Sequence, residues 1–406
     1  MKLKDKTLSA NTGLDAIKRA PIVEYDTGLK CIRIQDISQG KNYDEWGFTE
    51  TNEKDRKKFL LKKNDLLIAR TGATVGVSQF IKEDTEAVYN NGTIRLRLEK
   101  SLNPRFVYYI FQTKGFLQYI DNISCVATQP NLRIEGLLRF TIPDYSIEKQ
   151  NAIVKTLSTF DDLIENNNKR IKLLKQMAEN LYKEWFVRFR FPGYETVEFE
   201  GKSPKCWNQL RLDQFGIQLE SGARPKGGIN SSIDDGVPSL GAESVKGLAE
   251  FDYSDVKLIP EEFYRKLKRG KNRGNHILIY KDGAYIGKVT LFKYGFPFER
   301  FAINEHVFFM NSIRAEYQNY LYFTLKQTSY FTLMQNLNRN AAQPGLSQLD
   351  INRIKIIEPD QVTVISFNDI IEPILKKVFQ LAKKNHLLIK QRDMLLPRLM
   401  SGKLEV

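Results

Sequence analysis

The sequence predicts an α+β protein. Two globular domains of mixed helix and strand are held apart by a long antiparallel two-helix coiled coil, and an internal pseudo-two-fold repeat relates the halves. The first observation behind this is that the 406-residue chain says nearly everything twice. Leu66-Leu67-Ile68-Ala69-Arg70-Thr71-Gly72-Ala73-Thr74-Val75-Gly76 returns as Ile277-Leu278-Ile279-Tyr280-Lys281-Asp282-Gly283-Ala284-Tyr285-Ile286-Gly287. Val107-Tyr108-Tyr109 returns as Leu321-Tyr322-Phe323, Gln129-Pro130-Asn131-Leu132 as Gln343-Pro344-Gly345-Leu346, and Leu173-Leu174-Lys175-Gln176 as Leu388-Ile389-Lys390-Gln391. A period this long excludes a solenoid and means a duplicated domain with a duplicated helix. The shift drifts from 211 to 215 along the chain, as when loops lengthen on a fixed framework.

The second observation is a pair of apolar seams. Ile153, Leu157, Phe160, Ile164, Asn167, Ile171, Leu174, Ala178, Leu181 and Trp185 alternate by four and three, as coiled-coil seam positions do. Phe367, Ile371, Ile374, Val378, Leu381, Asn385, Leu388, Arg392, Leu395 and Leu399 repeat the pattern. Run antiparallel with partner numbers summing to 552, every seam position meets another and Asn167 meets Asn385. A buried Asn pair penalises slippage, because any other register strands its hydrogen-bonding groups. The end layers then lie ~48 Å apart at 1.5 Å per residue. Pro373 lacks a backbone donor and is expected to kink the second helix. Phe191-Pro192-Gly193 ends the first helix, and Pro397 with Gly402 the second. Apolar residues off the seam, such as Leu163, Leu173, Leu387 and Ile389, call for a further helical partner.

The elements follow in order. Residues 1–147 form the first domain. Asp65–Arg70 is an apolar run ended by Thr-Gly, a strand entering a turn. Thr93–Leu98 alternates at period two, so Arg95 and Arg97 should point away from the buried face. Arg105–Tyr119 carries Phe106, Tyr109, Ile110 and Leu117 at helical spacing, a core-facing stripe. Residues 148–190 are the first long helix, 191–360 the second domain and 361–406 the second long helix. The second domain opens on Trp207–Leu212, followed by the Gly-, Pro- and cation-rich loop Glu220–Gly228, suited to close approach of backbone to a ligand. The first copy shows no Trp-opened lead-in, and its first loop, Ser9–Arg19, aligns only loosely with Ser221–Lys226.

Composition narrows the function. Lys and Arg outnumber Asp and Glu by 62 to 48, a formal charge of +14 that favours a polyanionic partner. Arg56-Lys57-Lys58 with Lys62-Lys63 precedes the first Leu-Leu-Ile-Ala strand, and Arg265, Lys266, Lys268, Arg269, Lys271 and Arg273 precede its repeat. Cations at one address in both copies suit phosphate tracking. The N-terminus has no apolar signal core and no stretch reaches membrane-span length, so a cytoplasmic protein is expected. Cys31, Cys125 and Cys206, like His276, His306 and His386, are too scattered for a disulfide framework or a metal site. Gly283–Val289 has three residues between its glycines and Val where a phosphate loop needs Ser or Thr, so it reads as a strand-ending turn. No Asn-Pro-Pro-aromatic motif for amino-methylation is present; Asn103-Pro104-Arg105 is not one. No catalytic site is expected.

Taken together, the residues resemble the specificity subunit of Type I restriction–modification enzymes. The resemblance covers essentially the whole chain. It rests on the Trp207 opening, the loop Ser221-Gly222-Ala223-Arg224-Pro225, the Gly-x-x-x-Gly turns at Gly72/Gly76 and Gly283/Gly287, Gln-Pro-Asn-Leu at 129–132 with its repeat, the long helix, and the ending Arg392–Gly402. It implies two target-recognition domains, each reading one half of a split, asymmetric double-stranded DNA target. It further implies two modification subunits that dock on the helices and transfer methyl from S-adenosylmethionine to adenine N6. A restriction subunit that uses ATP and Mg completes some such systems. No cofactor is expected on this chain. On this reading the DNA contacts of the first domain are Lys18, Arg19, Lys57, Arg70, Thr71, Gly72 and Gln129. Those of the second are Arg224, Lys226, Arg269, Lys281, Lys288 and Gln343. Arg70 and Lys281 stand at matching turn entrances, and Gln129 and Gln343 either pair with adenine in the major groove or brace their loops. The alternatives are a stand-alone architectural nucleic-acid-binding protein whose coiled coil dimerises it, and a self-contained nuclease or methyltransferase.

Overall fold

The computed structural model describes residues 1–124, 131–201, 203–228, 235–337 and 345–405. They form two units, Met1–Asp162 with Leu388–Val406, and Leu163–Leu387.

In the first unit an antiparallel sheet runs in the order Thr7–Thr12, Thr93–Leu98, Leu66–Ala69, Ser78–Phe80. The continuous apolar run Leu66–Ala69 is fully buried because both faces of its sheet are covered. A second sheet orders Ile22–Val23, Gly47–Thr49, Lys30–Ile32 and Ala87–Tyr89, the last pair parallel. The same covering corrects one expectation: Arg95 is 3% exposed rather than outward in solvent. It donates to the carbonyls of Leu60 and Lys58, beside Asp65, on which Arg97 docks with both Nε (2.6 Å) and Nη2 (3.0 Å).

The helical stripe is split. Asn103 caps Pro104–Phe111 by accepting from the amides of Arg105 and Phe106, with Pro104 at the first helical position. Phe106, Tyr109 and Ile110 are buried, as expected. The chain then breaks before Lys114–Ser124, which restarts the helical phase, so Phe116 and Ile120 are buried and Leu117 is 39% exposed.

The second unit repeats this order. Its antiparallel sheet is Ile217–Ser221, Val307–Ser312, His276–Tyr280, Val289–Phe292. Its second sheet is Leu258–Ile259, Val237–Leu240, Ala302–Ile303, again with the last pair parallel. The helices Gln318–Leu325 and Thr328–Asn336 stand where the first unit has its own pair. The lead-in Asn208–Arg211 pairs with Lys355–Glu358, and the Leu212 amide donates to Ile354. The first copy does have an equivalent: the Leu3 amide donates to Phe140 and Lys2 bridges Thr141. Without a Trp it carries no sequence signal of its own. Trp207 itself is buried, stacked on Phe191 and donating its indole N–H to Asp360.

The first long helix is Ile147–Tyr182, continued by a π-helical turn, Lys183–Val187. The second is Gln361–Met400, unbroken at Pro373, where Ile371 and Leu375 on either side are fully buried and hold the turn. In the second unit Asn167 Nδ2 donates to Asn385 Oδ1 at 2.8 Å, and Asn385 donates to Asn168 at 2.8 Å. The Trp185 and Phe367 rings lie 5.9 Å apart, so within this unit the helices run antiparallel in the register read from the seam. In the first unit Ile153 and Leu157 share a core with Leu396, Leu399 and Met400, and Arg392 reaches Asp161 at 2.7 Å.

Replacing Asn385 by Leu strips Asn167 of its acceptor while both remain buried. The single variant should lose about 1–3 kcal/mol, and the double variant Asn167→Leu/Asn385→Leu should regain most of it. Urea unfolding checks this; a single variant as stable as the parent contradicts it.

Candidate nucleic-acid interface

Each sheet ends at a glycine that cannot be anything else. Thr7–Thr12 runs into Gly13, where a Cβ would lie 2.2 Å from the Tyr89 carbonyl oxygen. Ile217–Ser221 runs into Gly222, where a Cβ would lie 1.8 Å from that of Ile303. The next amides, Leu14 and Ala223, donate to those same carbonyls at 2.9 and 3.2 Å. Gly13 is therefore the partner of Gly222, which settles the loose alignment of the first loop: Asp15 stands where the second copy has Arg224.

The Gly-x-x-x-Gly turns also match. Gly72, Gly76, Gly283 and Gly287 all have positive φ (82°, 92°, 125° and 83°). The Arg70 amide donates to Gly92 and that of Lys281 to His306. The Leu132 amide donates to the Arg70 carbonyl at 2.7 Å, and the Leu346 amide to that of Lys281 at 3.0 Å. Thr71 bridges Asn131 as Asp282 bridges Gly345. Each turn is thus stitched to the end of the Gln-Pro segment. Gln129 and Gln343 themselves lie outside the described residues.

The two clusters differ in charge. In the first unit Arg70 Nη2 donates to the neutral amide of Asn131 at 3.0 Å, and its Nε has no hydrogen-bond partner. Thr71 and Gly72 follow it at the turn. Lys18 is exposed in a short turn whose amides are held by Asp15. Arg19 is committed to Asp55 through Nε (3.0 Å) and Nη2 (2.5 Å), which weakens its candidacy as a phosphate contact. Lys57 is exposed on the helix Glu53–Phe59.

In the second unit the cations are set in a chain of polar contacts. Arg224 Nε meets Glu305 at 2.6 Å, and His306 lies between Glu305 (3.4 Å) and Asp282 (3.1 Å). Asp282 also meets Lys281 at 2.6 Å. Lys288 covers the exposed Tyr285 ring at 3.9 Å, while Lys226 and Arg269 are exposed. Asp282, Glu305 and His306 were not legible as site residues: the first copy has Thr71, Asn91 and Gly92 there, so the repeat gives no cue. His276 is structural. It accepts from the Arg273 amide at Nε2, so Nδ1 carries the proton toward Asn311, and burial lowers its pKa. Among the described residues no group of three or more His, Cys, Asp or Glu could hold a metal ion, and no helix is long and apolar enough to cross a membrane.

Such an arrangement can hold phosphates with cations and loop amides and present side chains to base edges. Residues 23–176 match the family model for the Type I restriction modification DNA specificity domain. The chain is 28% identical over 383 residues to the Type I restriction enzyme MjaIX specificity subunit of Methanocaldococcus jannaschii, covering 91% of this chain and 83% of that one. It is 23% identical over 423 residues to the Type I restriction enzyme HindI specificity subunit of Haemophilus influenzae, covering 87% and 90%. The crystal structure of a Type-I restriction-modification system S subunit from M. genitalium shares the fold, with a TM-score of 0.60 at 18% identity over 98% of this chain and 95% of that one. Residues 23–176 therefore carry a Type I restriction modification DNA specificity domain, and the chain along most of its length is similar to Type I restriction enzyme specificity subunits.

Proposed function

We propose that this chain reads a bipartite, asymmetric DNA target, one half-site per domain, and presents its helices as ruler and docking site for two adenine-N6 methyltransferase subunits. The recognition domains are residues 1–147 and 191–360, and the helices 148–190 and 361–406. S-adenosylmethionine belongs to the modification subunits, and ATP and Mg to a restriction subunit where the system has one. The observation that carries this reading is the duplicated reader: the same strand order in the sheet that carries the turn, a glycine pinned against the equivalent carbonyl, and a cation at the same turn position, Arg70 in one copy and Lys281 in the other. The differing side chains around those cations support different half-sites. Exposed Leu163, Leu173, Met177 and Leu387 on the long helices supply apolar surface for a docking helix.

Adding one heptad to both long helices lengthens each by ~10 Å, about three base pairs of B-DNA. The methylated motif should keep both half-sites and lengthen its spacer; an unchanged spacer defeats the ruler. Arg70 is a separate test. Arg70→Ala should weaken binding at every salt concentration and lower the slope of log K against log salt by about one. An unchanged slope removes Arg70 from the phosphate contacts.

A further inference from the structure

The end of the second long helix from Arg392 to Met400, with Ser401 just beyond it, forms one wall of a groove of about 760 Å³ in the first unit, with Ile110, Phe116, Phe140 and Pro143 opposite. The repeat shows what belongs in it. The shift of 215 that relates Leu173–Gln176 to Leu388–Gln391 places Tyr182 at Pro397 and Phe186 at Ser401. In the second unit the Tyr182 ring is buried, stacks on Phe323 at 5.7 Å and donates its hydroxyl to Thr324 at 3.0 Å. Phe186 packs edge-on against Tyr320 and Phe367 at 4.9 and 5.0 Å. The counterpart of Thr324, at a shift of 214, is Ile110, a wall of the groove. The groove is therefore the volume that two aromatic rings on successive turns of one helix fill in the other copy. Its lips are charged. Lys114 is exposed on one, and on the other Asp393 is half-exposed but receives Arg392 through Nε (3.0 Å) and Nη2 (2.9 Å), whereas in the second unit the aromatic-bearing helix presents Glu179 to Lys326.

We propose that the groove receives a helix of the modification subunit bearing two aromatic side chains four residues apart, flanked by an acidic residue for Lys114. This rests on the reading that modification subunits dock on this chain. It makes the two docking events unequal. One modification subunit gains an aromatic anchor, and the other meets a volume already filled by Tyr182 and Phe186. Buried aromatic anchors of this kind dominate interface energetics.

The test installs the second unit's own filling. Full-length Pro397→Tyr/Ser401→Phe is titrated with the modification subunit from the same genome. One of the two binding events should weaken at least ten-fold while the other is unchanged; two unchanged events overturn the proposal. Absence of any binding by the unsubstituted chain counts against modification-subunit docking itself, a separate failure. Should the double variant not fold, the photo-crosslinker p-benzoylphenylalanine at Ser401 of the complex decides. A crosslink to a modification-subunit helix carrying the aromatic pair supports the proposal. A crosslink confined to this chain or a second copy of it, to a segment without aromatics, or none at all, overturns it.

Discussion

Asp65→Ala should cost the first unit about 3–5 kcal/mol, the price of stranding a buried charge. Asp65 is 1% exposed and receives Arg97 bidentately, with Arg95 Nη1 at 3.9 Å. Arg95 is itself 3% exposed, its Nε has no hydrogen-bond partner, and burial already lowers its pKa from the usual value. Without the carboxylate, two guanidiniums face each other beneath the strand that leads into the Arg70 turn. The contrasting variant is Arg95→Met, which keeps the Asp65–Arg97 pair and replaces a desolvated cation by an apolar chain. Its cost should be far smaller, since buried ion pairs often exchange for well-packed hydrophobic groups without loss. Hydrogen exchange of Leu66–Ala69 reports on this unit alone. Equal protection in Asp65→Ala and the parent contradicts the assignment of Asp65 as counter-charge.

Gly222→Ala and Gly13→Ala should each blind one reader. A methyl group at Gly222 meets the carbonyl oxygens of Ile303 at 1.8 Å and Asn304 at 2.6 Å. At Gly13 it meets those of Tyr89 at 2.2 Å and Asn90 at 2.3 Å. Backbone cannot rotate away as a side chain can, so the strand end must move. The hydrogen bond from Ala223 or Leu14 is lost with it, at about 1–3 kcal/mol for overpacking. The loop carrying Arg224 and Lys226 then leaves its place beside Glu305 and the Gly283 turn. Binding to DNA with single base changes separates the halves. Gly222→Ala should lose discrimination at the second domain's half-site and keep it at the first domain's, with Gly13→Ala the reverse. Equal loss at both half-sites by either variant contradicts one reader per half-site.

Much of this was legible because duplication exposes the framework. Runs such as Leu66–Ala69 and His276–Tyr280 are constrained by burial on both sides, so their pattern survived in both copies. The pairing of Asn167 with Asn385 was readable because a lone polar residue in an apolar seam has few places to go. What the sequence leaves hidden has physical causes. Alternation says which side chains share a face of a strand but not whether that face is covered, hence Arg95. Helical spacing cannot reveal a break that resets its phase, hence Leu117. One glycine among dissimilar neighbours carries the whole alignment of the first loops, and only the carbonyl pressed against it identifies Gly13 with Gly222. The contacts linking Arg224, Glu305, His306 and Asp282 join three loops, and no spacing along the chain announces them.

The most direct measurement is to co-express this chain with the modification subunit from the same genome and map N6-methyladenine by single-molecule sequencing. The expected result is methylation at one split motif with two different half-sites and a fixed spacer, lost when either protein is omitted. Methylation at a continuous motif, or none with both proteins present, would contradict two readers of one bipartite target.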